Sequence, residues 1–358
     1  MFSNRRKGWI GIDLGARAIK MAQVQRVGSH LRLAAARVIP RPAISGDAGS
    51  LSSAGDWWAE VCKSASRSGF AGRQAACVVP MGMTDLQSLP LPDGTLAERR
   101  TMIAGELESM FAGGAEGRSF DFWDTSMAED AGQANRENVA VMSLGNEDAA
   151  AATSALSHAG LRCHVIDGLP LTLARAVRMV TSAMPAEPVA ALDWGYSSVT
   201  FCIVQAGRPV FTRQLRDCKF SDLPNCISRT LKLSEEDAQQ LLATHGVIDP
   251  AGRDDTLRSV QEVVADVVGE PIAGILAEVA KTLSYLKLHR SNLTPERLWL
   301  FGGGATVKNI APYLAAKAGL ETAVWRLPGD SAGRRADGGA PLELLGNAVA
   351  LSALAWAA

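Results

Sequence analysis

The chain of 358 residues is poor in most of the features that give a sequence a specialised role. Its six cysteines are scattered from Cys62 to Cys226 without a C-x-x-C pair, which argues against a zinc site or a disulfide framework and fits a reducing compartment. Five dispersed histidines form no metal-binding pattern, and the neighbours Cys163 and His164 read as structural. A net charge of −1 gives nucleic acid nothing to hold. No apolar run is long enough to cross a bilayer, so no transmembrane segment is expected. Met1 to Lys7 is basic but lacks a following apolar stretch, so it reads as a solvated terminus rather than a secretory signal, and Arg5, Arg6 and Lys7 read the same way. Residues 344–358 carry no basic side chain, which disfavours an amphipathic membrane anchor. The patterns G-x-x-x-x-G-K-S/T, H-E-x-x-H and G-x-S-x-G are absent, removing support for P-loop, zincin and hydrolase chemistry.

What is present is an ordinary globular composition, 47% apolar and 20% charged, long enough for two or three domains with real cores. One pattern occurs twice. Asp13-Leu14-Gly15 follows an apolar strand and leads through Ala16-Arg17-Ala18 into a second strand; Asp193-Trp194-Gly195 does the same through Tyr196-Ser197-Ser198. Each copy continues through a Gly turn, Gly28 or Gly207, into a third strand. Gly-bearing turns expose backbone N–H groups that can cradle phosphate, and an adjacent Asp can hold a cation or a water. A third Gly-bearing loop, Gly302-Gly303-Gly304-Ala305, follows the apolar run Leu298 to Phe301 and can bring backbone close to a base or ribose. Lys20, seven residues after Asp13, can neutralise phosphate charge if it points back along the hairpin. A single Asp-x-Gly is usually only a turn; three such loops in this order carry more weight.

Between the hairpins the pattern predicts helices over Asp56–Ser66, Thr95–Phe111, Asn146–Ala159 and Leu169–Met179, and strands over Ala75–Val79, Asn138–Ser143 and Cys163–Ile166. Leu89–Asp93 reads as a linker, Gly113–Asp130 as an acidic Gly-rich loop, Asn146 as an N-cap, and Pro185 with Pro188 as a boundary. Residues 217–269 read as a helical insert, with Ser234 capping a helix and apolar stripes from Leu257 to Val268 and from Ile272 to Leu286 that serve core packing. A strand over Thr322–Arg326, a surface loop over Gly329–Gly339 and a last helix from Leu342 complete a chain of mixed sheets flanked by helices.

In this order the three loops resemble those of the actin, Hsp70 and sugar-kinase superfamily, and within it the type IV pilus assembly PilM family, relatives of FtsA. The resemblance spans nearly the whole chain. It rests on Gly11-Ile12-Asp13-Leu14-Gly15 with Lys20, Gly105-Glu106-Leu107-Glu108, Ala159-Gly160-Leu161 with Ile166-Asp167, Leu233 to Ala238, Phe301 to Ala305, and Leu345-Gly346-Asn347-Ala348. It implies an α/β fold of two actin-like lobes, a duplicated ribonuclease H-like core with an FtsA/PilM-type inserted subdomain. The implied first lobe is 1–84 with 341–358, the insert 85–167, a connecting helix 168–185, the second lobe 186–216 with 296–340, and a helical nucleotide-side subdomain 217–295.

The resemblance further implies ATP with Mg²⁺, contacted by Asp13, Gly15, Ala16, Arg17, Lys20, Asp193, Gly195, Tyr196, Ser197, Ser198, Gly302, Gly303, Gly304 and Ala305, with Asp13 and Asp193 holding the metal through water. It implies a scaffold at the inner face of the inner membrane that binds the cytoplasmic tail of a PilN-like protein beside the insert, with self-association open. Glu106, Glu108, Asp121, Asp124, Glu129 and Asp130 would make that insert acidic enough to steer a basic tail. The chain also departs from the pattern. Its first loop has lost the family's serines, and Gln239 and Leu242 stand where acidic and basic ribose contacts are expected. An active ATPase or small-molecule kinase of the superfamily, and an FtsA-like filament former, stay open as alternatives.

Overall fold

In the computed structural model of the chain, residues 7–41, 61, 63–64, 69–111, 114–125, 138–181, 187–250, 252, 255–329 and 341–356 are described. Strand β1 (Ile10–Leu14) is apolar at four of its five positions and buried throughout. It reverses into β2 (Ala18–Val27), and Gly28 turns β2 into β3 (His30–Pro40). β4 (Gln74–Val78) pairs parallel with β1. The chain then leaves this sheet to build β5 (Thr84–Leu89), β6 (Arg118–Asp124) and β7 (Val139–Gly145), a separate antiparallel sheet ordered β5-β7-β6. It returns through β8 (Arg162–Asp167), parallel to β4, and the first sheet reads β3-β2-β1-β4-β8.

The second half repeats this plan. β9 (Val189–Trp194), β10 (Val199–Gln205) and β11 (Arg208–Leu215) form an antiparallel meander, and β12 (Arg297–Phe301) and β13 (Glu321–Val324) add in parallel. The order β11-β10-β9-β12-β13 matches the first sheet position for position. The duplication extends to register: Asp13 lies opposite Lys20, and Asp193 lies opposite Thr200.

Helix α1 (Leu96–Met110) packs on the insert sheet through Ile103 and Leu107, and Thr95 with Glu98 closes its N-terminus in a reciprocal capping box. α2 (Asn146–His158) buries Ala152, Ala155 and Leu156 against Ile10, Ile12 and Leu14. Thus α2 and β8 belong to the first lobe, and the insert expected over 85–167 narrows to the sheet and helix lying between 84 and 145. The loop expected over Gly113–Asp130 contains β6, where Phe120 and Phe122 face α1 and alternate with exposed Ser119 and Asp121. The charges hid that period of two. β5 fills the stretch before the expected linker, and the Asn138 side chain clasps both backbone groups of Leu91 there. Asn146 does not cap its own helix; Gly145 holds the cap position, and the Asn146 amide instead binds the Glu116 carbonyl and the Ser119 hydroxyl. The 56–66 helix lies almost wholly outside the described residues, as do Pro185 and most of the 329–339 loop.

Two helices lie between the lobes. α3 (Leu169–Val180) is anchored by buried Asp167, which accepts from Thr172 Oγ1 at 2.8 Å and Arg175 Nη1 at 2.7 Å. The helical part of the second half is α4 (Asp222–Leu231), α5 (Glu235–Thr244), α6 (Asp255–Val267) and α7 (Gly269–His289), with α8 (Ile310–Ala318) following β12. The expected stripe on α7 is core, with Ile272, Ile275, Val279 and Leu286 buried, whereas Val263 on α6 is half exposed. The final helix α9 (Gly346–Ser352) is buried at every position and crosses β1 closely: a Cβ on Gly11 would sit 1.9 Å from the Ala348 carbonyl oxygen. Residues of α3, α9, β2 and β4 share one apolar cluster with Ala191, Cys202, Phe301 and Trp325 of the second half. Each large side chain of that cluster contributes roughly 1.5–3 kcal/mol by leaving water, so the lobes are joined by a common core.

Candidate functional site

The two duplicated hairpins meet at a cleft of about 370 Å³. Asp13, Gly15, Ala16, Arg17 and Lys20 line it from the first lobe, and Asp193, Gly195, Tyr196, Ser197 and Ser198 from the second. Register explains the convergence. β1 and β9 each carry an Asp at the next-to-last position and run into a four-residue reversal, so equivalent strands in equivalent sheets aim equivalent loops at one space.

The centre of the site is a small ionic network. Lys20 Nζ donates to Asp13 Oδ2 at 2.9 Å, and both side chains are largely buried. Burial pulls the Lys20 ammonium downward, but Asp13 and Asp193 outweigh it and leave its pKa raised, so the lysine stays charged. Burial pushes Asp193 up to about 6; Lys20 opposes the rise, Asp13 adds to it, and a hydrogen bond from Asn347 opposes it.

Asn347, from α9, had been read only as part of a helix start. Its Nδ2 lies 3.3 Å from Asp13 Oδ2 and 3.4 Å from Asp193 Oδ2, so one amide spans both aspartates. Its Oδ1 is buried with no hydrogen-bond partner among the described residues. A hydrated cation between the aspartates would supply the missing donor, which is a fit between these residues and Mg²⁺ held through water. No group of three or more His, Cys, Asp or Glu side chains suited to a metal occurs among the described residues, so such an ion would depend on water and ligand oxygens.

The third loop behaves less uniformly. Gly303 lines the cleft, but Gly302, Gly304 and Ala305 do not. Gly302 has φ +77°, and a Cβ there would fall 2.5 Å from Asp193 Oδ1, so a larger residue would push against the aspartate. Gly304 and Ala305 are buried, with Gly304 against the Trp194 ring. Ala305, Thr306 and Gln239 line an adjoining hollow of about 890 Å³ between α5 and α8. Gln239 lines the cleft, while Leu242 is buried in the core.

Two further charged residues reach the rim. Arg41 lines the cleft and donates to the Gly15 carbonyl at 3.4 Å. Arg17 does not face the cleft free: its Nη2 binds Glu235 Oε1 at 2.9 Å, on α5 across the opening. Part of the acidity expected of the insert is paired internally, while Glu106 and Glu108 are exposed on α1. Asp124 pairs with Arg99, Asp121 with Arg100 and Asp85 with Arg118. Glu129 and Asp130 lie outside the described residues.

Two sheets of one topology, packed on shared helices and joined at a cleft by duplicated Asp-x-Gly hairpins, define an actin-like fold. A family model for the type IV pilus assembly protein PilM matches residues 11–329, and the chain belongs to that family. It is similar over 97% of its length to 98% of a chain in a PilM–PilN type IV pilus biogenesis complex, at 18% identity and a TM-score of 0.76. It is also similar, over 97% of its length and 89% of the other chain, to the ethanolamine utilization protein EutJ from Carboxydothermus hydrogenoformans, at 13% identity and a TM-score of 0.54. No curated protein matches it by sequence. Among the described residues no helix is long and apolar enough to cross a membrane.

Proposed function

We propose that the chain is a cytoplasmic assembly scaffold of a type IV pilus or related secretion machine, held at the inner membrane by binding the cytoplasmic tail of a PilN-like protein. The observation that carries this reading is the end-to-end likeness, insert included, to the PilM of a PilM–PilN complex. ATP with Mg²⁺ is the ligand whose chemistry suits the cleft. The loops Gly15 to Arg17 and Tyr196 to Ser198 would hold phosphates, and Asp13, Asp193 and Asn347 would hold the hydrated ion. Mg²⁺ would neutralise phosphate charge there. The adjoining hollow at Gln239, Gly303 and Thr306 would take the nucleoside. Lys20 and Arg17 already have carboxylate partners, and the first loop carries no hydroxyls, so turnover is slow or absent and binding is the main activity.

The test is amide hydrogen exchange of the full chain with and without a synthetic tail of its PilN-like partner. Protection is expected in the insert, between residues 84 and 145. Protection confined to α4–α7, with the insert unchanged, would overturn this reading.

A further inference from the structure

The cleft has a tie across its rim that the ligand-binding residues do not account for. Glu235 is the first residue of α5, and its position is fixed by Ser234, whose hydroxyl accepts from the Asp237 N–H at 3.1 Å. From there a single oxygen, Glu235 Oε1, accepts three hydrogen bonds: from Arg17 at 2.9 Å, from the Tyr196 hydroxyl at 2.8 Å and from Gln239 Nε2 at 2.9 Å. The Arg17 guanidinium lies over the Tyr196 ring, 5.2 Å from its centre. Arg17 belongs to the first duplicated hairpin loop and Tyr196 to the second, and Gln239 lines the nucleoside hollow. One carboxylate therefore gathers the first loop, the second loop and the helix above the nucleoside position.

We propose that this Arg17–Glu235–Tyr196 contact is a latch that holds the two lobes together when no nucleotide is present, and that nucleotide phosphate opens it by replacing Glu235 on Arg17. The proposal rests on the nucleotide reading of the cleft. Its chemistry is an exchange of anions. A guanidinium binds phosphate oxygens at least as well as a carboxylate, often with two parallel hydrogen bonds, and Arg17 already sits in a loop suited to phosphate. The Arg17 and Glu235 side chains are 32% and 35% exposed, so the pair is open enough to water for a modest net strength and a ready exchange. Release of Arg17 leaves Glu235 with Tyr196 and Gln239, both on its own side of the cleft. The latch thus parts between the lobes without leaving a bare carboxylate.

The experiment has two arms on the full chain. The first uses hydrogen exchange without nucleotide, comparing wild type with Glu235→Gln, Arg17→Ala and the double variant. Each single variant is expected to speed exchange on both sides of the cleft, in residues 15–18 and in α5, and the double variant to add nothing further. Changes confined to the substituted side, or full additivity, would overturn the latch. The second arm measures binding of ATP with Mg²⁺ by calorimetry. Glu235→Gln is expected to bind about 5-fold tighter than wild type, the change that about 1 kcal/mol of competition produces, and Arg17→Ala weaker than Glu235→Gln. Equal or weaker binding by Glu235→Gln refutes the exchange. Binding by neither protein refutes the nucleotide reading and the exchange together, while the amide data alone still decide the latch.

Discussion

Thr200 stands opposite Asp193 where Lys20 stands opposite Asp13, so two equivalent hairpins share one lysine. Burial raises the Asp193 pKa, and Lys20, bonded to Asp13, offsets only part of that rise. The consequence for stability has a definite sign. With a folded value of about 6 against an ordinary 3.8, Asp193 is ionised at an energetic cost in the fold above pH 6. The cost is relieved as pH falls through 6 and is gone below the unfolded value. Asp193→Asn is therefore expected to stabilise the protein at pH 8 by about 2 kcal/mol, less than the ~3 kcal/mol the shift alone implies because the carboxylate borders the open cleft. The gain should shrink between pH 6 and 4. Urea unfolding of both proteins at pH 8, 6 and 4.5 checks this, and a gain that grows on acidification contradicts it. The aspartates and the hairpin turns were legible in the sequence because their signal is local. Asn347 carried a faint signal, a lone amide in the apolar run from Leu344 to Leu351, that could have marked it as aimed at a polar site. Glu235 carried none, since a carboxylate in the first turn of a helix is accounted for by the helix itself and its partner Arg17 is 218 residues away.

At the scale of elements, the crossing of α9 over β1 is set by a residue without a side chain. Gly11→Ala would place a methyl 1.9 Å from a backbone oxygen that cannot rotate away, so the helix must lift from the sheet. A loss of at least about 3 kcal/mol is expected. Gly105→Ala is the matched control, because Gly105 is an exposed position of α1 with nothing within 4 Å of the new carbon and should gain about 0.5–1 kcal/mol. Circular dichroism during urea titration separates the two, and equal effects would refute the close-crossing argument. Helices and core strands were read from the sequence with their ends shifted by a residue or two. β6 was missed because Arg118 and Asp124 stand on the face of Phe120 and Phe122, and those charges make sense only beside Asp85 and Arg99 of other elements. Composition likewise counts the charges of Asp121 and Asp124 without their arginine partners.

At the scale of the whole molecule, the insert springs from the first lobe but also touches the second. Trp123 Nε1 of β6 donates to the Pro209 carbonyl of β11 at 2.7 Å, on the border of a groove of about 380 Å³ lined by Leu86, Phe211 and Tyr285. Trp123→Phe keeps an aromatic ring, though a smaller one, and removes the donor. It should cost about 1 kcal/mol and speed amide exchange in the insert sheet while leaving β9 and β12 protected. Unchanged exchange in the insert would show that the contact does not hold it. The sequence announced the two-lobed plan through its repeated hairpins, yet it could not show that a third body would rest on both. With the indole contact in place, the insert is a beam supported at two ends. A load applied to it would divide between the lobes on either side of the cleft.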